Sequence, residues 1–321
     1  MPFLRASCVD RSDRTLWAPL AFVLALGILG RPAEARNINY SCPVFSVLKD
    51  STGQALPADF IWELGAFRGN FTPTAANGDQ WSSNWVPLGR TLTNEAFGFF
   101  SREVALTSNA APFATGNRGW IWGYNCSSDP GEWVLIGSAS WTWPTVNPLA
   151  VPLFWSTDDL TVTAIVGTHN ATAVNPATHI QAHAIADALP PQMTAADWRG
   201  LEFEGELTDP LTGLDADYDG DGVVNLLEFA LGTSAREAGD HALPTFRFQS
   251  VAGSDYALLS VPRNPCANAT YTIQRADNLA EWVTTGLAVF ADEPDLIEVR
   301  ETTPQTLVTP ARGFLRLQVT P

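Results

Sequence analysis

From residue 37 to about 185, apolar positions come in short runs separated by clusters of Gly, Asn, Pro and Ser. Residues 60–67, 97–106, 120–124, 133–136 and 160–166 are rich in Val, Ile, Phe and Trp, which fit a pleated, half-buried surface. The separators, such as 72–79 and 127–131, hold turn-forming residues. No stretch of useful length repeats at the helical period, so this part reads as a β-sandwich or compact sheet domain. The pattern changes at Pro190 and Pro191. Thr194, with Asp197 three residues on, predicts a helix start, and Trp198 and Leu201 fall on that helix. From about 244 the alternation returns, with strand candidates at 256–261, 271–275, 296–300 and 314–319. The expected fold is mainly β: two β-sandwich-like domains, 36–189 and 244–321, joined by a short helical connector at 190–243.

The first 35 residues have another character. Arg5, Arg11 and Arg14 precede an apolar run from 16 to 30, and Ala33-Glu34-Ala35 follows as a small-x-small cleavage pattern. This predicts a secretory signal peptide, a mature chain starting at Arg36, and no membrane span after cleavage. The expected location is secreted, periplasmic or on the cell surface. Net charge agrees, because the chain carries −16 with Lys49 as its only lysine. Nucleic acid and anionic membranes need clustered positive charge, so neither is an expected partner. Between Asp197 and Asp240 twelve acidic residues face two basic ones, and the asymmetry is concentrated there.

That acidic stretch contains Asp217-Tyr218-Asp219-Gly220-Asp221-Gly222-Val223-Val224-Asn225-Leu226-Leu227-Glu228, which fits a twelve-residue calcium loop of EF-hand type. Hard Ca²⁺ takes six to eight oxygens in a flexible shell, and the loop supplies them in order. Asp217, Asp219 and Asp221 offer carboxylates, Gly222 allows the sharp turn, and the carbonyl of Val223 follows. Asn225 is placed to bind directly or through water, and Glu228 closes the shell. Residues 225–231 predict a helix, with Gly232 ending it in a left-handed conformation. Pro210 and Gly213 rule out a continuous entering helix. No second loop of this spacing occurs. A lone loop of this kind falls in the weaker extracellular range, with Kd about 10⁻⁴–10⁻³ M.

The stretch DADYDGDGVVNLLEFALGTS resembles the calcium half-hand of dockerin-like and thrombospondin type 3-like segments in secreted bacterial proteins. The resemblance covers about 195–321 and is specific over the loop. It implies a calcium-binding segment followed by a β module, here matched by YTIQRADNLAEWVTT and the ending ARGFLRLQVTP. Dockerins carry two loops and bind cohesin, whereas this chain has one.

Other chemistry is sparser. Nine of the twelve tryptophans lie between Trp62 and Trp155. Indole faces can hold sugar rings, and Trp81, Trp85, Trp141 and Trp143 are the candidates for such a platform. The competing reading is that the indoles form the core. Cys42 and Cys126 are the expected disulfide, which leaves Cys266 free, buried or bonded to a partner. His179 and His183, four apart, have no third metal ligand in view. Glu63, Glu95, Glu103, Glu132, Asp158 and Asp159 are the carboxylates a sugar hydrolase could draw on. No hydrolase elbow, P-loop or dinucleotide fingerprint occurs. The expectation is a secreted, non-catalytic protein with a calcium-stabilised connector and a structural or binding role. The alternatives are a carbohydrate-binding protein and, further off, a glycoside hydrolase-like enzyme. Extracellular polysaccharide or a surface protein is the expected kind of partner.

Overall fold

The strands with the longest apolar runs lie at the centre of the molecule. The computed structural model describes residues 35–127, 130–186, 188–240, 242–304 and 313–321; the signal segment and most of its cleavage pattern lie outside them. The strands before the connector are β1 (Arg36–Ser41), β2 (Val47–Lys49), β3 (Ile61–Phe67), β4 (Trp85–Leu92), β5 (Ser101–Leu106), β6 (Trp120–Tyr124), β7 (Gly131–Ser138), β8 (Leu153–Ser156), β9 (Val162–Val166), β10 (Thr168–His169), β11 (Thr178–Gln181) and β12 (His183–Ile185). One short helix, α1 (Trp81–Asn84), interrupts them. The connector contributes α2 (Ala195–Glu202) and α3 (Asn225–Leu231). After it come β13 (Thr245–Val251), β14 (Ser254–Pro262), β15 (Thr270–Ala276), β16 (Leu287–Glu293), β17 (Leu296–Glu301) and β18 (Phe314–Thr320). The fold is therefore mainly β, and no described helix is long and apolar enough to cross a membrane.

A six-stranded sheet, β12-β7-β6-β3-β4 with β9 also on β7, has apolar cover on both faces. Every residue of β3 and β6 is buried, which explains why their sequences read as unbroken apolar runs. One face, carrying Trp62, Leu64, Ile121, Val134 and Ile136, packs against residues of the three-stranded sheets β5-β1-β8 and β10-β11-β2. The other face carries Trp85, Trp120, Trp122, Tyr124 and Trp133, and the connector covers it with Trp198, Leu201, Phe203 and Phe229. The sheet needs small residues to seat so many indoles. A Cβ on Gly123 would come within 2.7 Å of the Trp62 ring, and one on Gly137 within 2.6 Å of Trp120.

After the connector, β13-β14-β17-β16 and the pair β15-β18 close on Leu259, Val261, Ile273, Ile297 and Val299, with Leu231 of α3 in the same cluster. The chain after the connector also reaches back into the Trp-rich core: Cys266 and Ala267 pack in one cluster with Trp81, Trp122 and Trp133.

The disulfide expectation is corrected. Cys126 bonds to Cys266, 140 residues away, and Cys42 is a buried free thiol. Cys42 packs among the residues on one face of the six-stranded sheet, where its Sγ accepts from the Phe100 N–H at 3.3 Å. Cys126 packs with the cluster on the other face. The sheet separates the two cysteines that the expectation paired.

Candidate metal centre

The loop is held from outside before any ion is considered. Where a full EF-hand has an entering helix, this chain has a single 3₁₀ turn at Pro210–Thr212, capped by the Asp209 carboxylate, which accepts from the Leu211 N–H at 2.9 Å. Arg199 of α2 donates to the Thr212 carbonyl at 2.5 Å, the Thr212 hydroxyl at 2.7 Å and the Leu207 carbonyl at 2.9 Å. Asn225, fully buried at the start of α3, donates to the carbonyls of Leu211 at 2.9 Å and Gly213 at 2.7 Å. Arg236 donates to the Glu202 carbonyl, pairs with Glu206 and lies over the rings of Phe203 and Tyr218. The two basic residues of the acidic stretch are thus its braces. Their isolation among twelve acids was the sequence signal that could have singled them out.

Within the loop each aspartate accepts from the backbone just ahead of it. Asp217 takes the N–H groups of Gly220 at 2.8 Å and Gly222 at 2.9 Å. Asp219 takes that of Asp221 at 3.1 Å, and Asp221 that of Val223 at 2.8 Å. Gly220 and Gly222 have φ of 79° and 96°, values that an L side chain adopts only with strain. The winding brings one oxygen from each of Asp217, Asp219 and Asp221 within 4.8 Å of the others. Like charges at such a separation repel by roughly 3–4 kcal/mol per pair at an effective dielectric of about 20.

Glu228 adds the most telling geometry. Its side chain is fully buried, and neither carboxylate oxygen meets a hydrogen-bond donor. Burial, followed by the charges of Asp219, Asp221 and Asp217, pushes its carboxyl up to about 8. One oxygen of Asp219 is also buried without a donor. Buried carboxylate oxygens are ordinarily bonded, so these three unmet oxygens set the site apart from the rest of the buried polar groups around it. Hard, oxygen-only ligands in this order fit Ca²⁺. The Val223 residue is buried, with its N–H turned onto Asp221.

Asn225 also braces the loop: its side-chain oxygen accepts from the Tyr218 N–H at 3.2 Å, and its amide donates to the incoming chain. Helix α3 and its end match the sequence pattern, with Gly232 at φ 80°. Glu202 was missed: its charge adds to those raising Glu228, and only packing of α2 beside α3 brings it there.

The tryptophan platform is a correction. Trp81, Trp85, Trp141 and Trp143 are all buried, at 0, 4, 2 and 1% exposure. The polar, turn-rich segment before Trp81 turns its polar groups outward, and the indole goes inward to stack on Trp133 at 5.7 Å. Trp85 donates to the buried Glu63 at 2.5 Å. Trp141 and Trp143 do share a cluster, but it is the closed one around Trp155.

The remaining candidates do not converge. Glu63 is committed to Arg90, Trp85 and Tyr124 inside the sheet. Glu103 accepts from Asn37 and Glu132 from Ser51. Asp159 closes a turn on Thr161, and Glu95 lies on an exposed turn. His179 is buried against Thr157 and His169, whereas His183 is exposed. Comparison with family models, with curated proteins and with solved structures finds no match to this chain.

Proposed function

We propose that residues 217–228 bind one calcium ion through Asp217, Asp219, Asp221, Glu228 and the Val223 carbonyl, and that the ion is a structural brace in an exported, non-catalytic protein. The observation that carries this reading is Glu228, a fully buried carboxylate with both oxygens unmet beside three converging aspartates. An ion there would fix the first turn of α3. That helix serves both halves of the molecule: Phe229 and Ala230 lie in or beside the Trp-rich core, and Leu231 lies in the C-terminal cluster. Its last carbonyls accept from Asn264 and from the Tyr271 hydroxyl at 2.5 Å. Export is supported by the disulfide, which persists in oxidising compartments, and by the acidic composition.

The test is thermal unfolding with calcium and with chelator. At about 100 times Kd the ion adds roughly 2.7 kcal/mol, several degrees of Tm. Asp221→Ala should abolish the calcium-dependent rise. Glu228→Gln should also abolish it, while costing little in chelator, because it removes the buried charge. A Tm that calcium does not move in the parent would refute the reading.

A further inference from the structure

Phe45 has φ 65°, a left-handed conformation that is a rare outlier for a bulky aromatic, yet the residue is 62% exposed. The strain is therefore not repaid by burial of the ring. Phe97, on a second turn beside it, is 51% exposed, and the two rings stand 6.1 Å apart at 68°. The pair is rigidly mounted. The Phe45 N–H donates to the Phe97 carbonyl at 2.7 Å, and the Asn94 side chain accepts from the Phe97 N–H at 3.2 Å. Gly98, at φ 55°, passes so close to the Ser46 carbonyl that a Cβ would lie 2.4 Å from it. The rings border a cavity of about 280 Å³ whose lining includes the polar residues Lys49, Glu95 and Asn175; the Thr93 hydroxyl beside them is spent on Trp62 and Phe60, and that of Ser46 on the Pro43 carbonyl.

We propose that this cavity and the Phe45–Phe97 pair form a subsite for a neutral sugar ring, of the kind presented by an extracellular polysaccharide. Strained residues that the fold over-determines cluster at ligand sites, and an exposed strained aromatic is costly unless it is used. Ring faces suit the C–H faces of a pyranose. Amide, ammonium and carboxylate groups at the wall offer donors and acceptors to its hydroxyls. Charge selects the class. Lys49 and Glu95 oppose each other in sign, and the −16 field of the chain disfavours an anionic glycan. A flat apolar partner would desolvate both charges without pairing them. The subsite shares no residue with the calcium loop and stands apart from that reading.

The experiment is calorimetric titration of the full protein with cellohexaose, xylohexaose and mannohexaose, with a trigalacturonate as the acidic control. At least one neutral hexasaccharide should bind, and the acidic one should not. Phe45→Gly should weaken that binding by about tenfold or more, and Phe97→Ala likewise. Phe45→Gly should leave Tm unchanged or raise it, because glycine adopts φ 65° without strain. The proposal falls if no neutral oligosaccharide binds at about 10 mM, or if Phe45→Gly binds like the parent. It also falls if Phe45→Gly melts several degrees lower, which would make the ring a packing element. An apolar dye that binds at Phe45 without any sugar binding would identify a hydrophobic docking patch instead.

Discussion

Glu228 and Cys42 show how differently two buried ionisable groups can be handled. Glu228 keeps both oxygens buried and free of donors, within reach of the charges of Asp219, Asp221 and Asp217. Cys42 is sealed in the core, where burial pushes its thiol up to about 12. A chain beginning at Arg36 should therefore show no reaction with a thiol reagent while folded and one thiol on denaturation without reductant; fast native labelling would contradict the burial. His179 sets a pH dependence. Burial, with His169 beside it, lowers its pKa below the ordinary 6.5. The unfolded chain then binds the proton more readily, so the contribution of His179 to stability is full above pH 6.5 and is lost as pH drops below it. His179→Gln should flatten this acid slope in urea titrations between pH 5 and 7, chosen around the unperturbed imidazole value of about 6.5; an unchanged slope would place the titrating group elsewhere.

At the scale of elements, the best-read pieces are those with strong local signals. The Thr194–Asp197 capping box forms as expected, and strands β3, β6, β7 and β14 fall where apolar runs marked them. Strand β4 was not marked, because Pro87 and Gly89 interrupt it. It sits at a sheet edge, and the β3–β4 register slips at the position where Pro87 faces Gly65. Strand β1, RNINYS, is polar in composition yet runs between β5 and β8, because its alternate residues Ile38 and Tyr40 are buried in the core while the asparagines between them are only partly covered. The connector makes its own prediction. Asn225→Ala removes two hydrogen bonds from α3 to the incoming chain and one to Tyr218 of the loop. It should cost about 2–3 kcal/mol, and most of the loss should persist in chelator, as measured by urea unfolding. A loss seen only with calcium would make ligation, not bracing, its main role.

For the whole molecule, the decisive contacts join residues far apart in sequence. The described residues from 35 onward form one contact unit. The Cys126–Cys266 bond, α3 and the shared aromatic cluster tie the β sheets before and after the connector together. Scanning calorimetry should show one unfolding transition, and two separated transitions would refute this coupling. Replacing both cysteines by serine should destabilise the protein by up to about 5 kcal/mol, the chain-entropy value for so long a loop.

Sequence alone determined the β class, the calcium-loop pattern and the helix that leaves it, because period-2 runs, ligand order and capping residues act over a few positions. Tertiary structure decided the rest. It turned the sugar-platform tryptophans into core, since an indole's direction depends on which sheet face the chain folds over. It paired Cys126 with Cys266 rather than Cys42, because a sheet lies between Cys42 and Cys126. It made Asn225 a brace, and it brought Phe45 and Phe97 together across two turns that nothing in their local sequence connects.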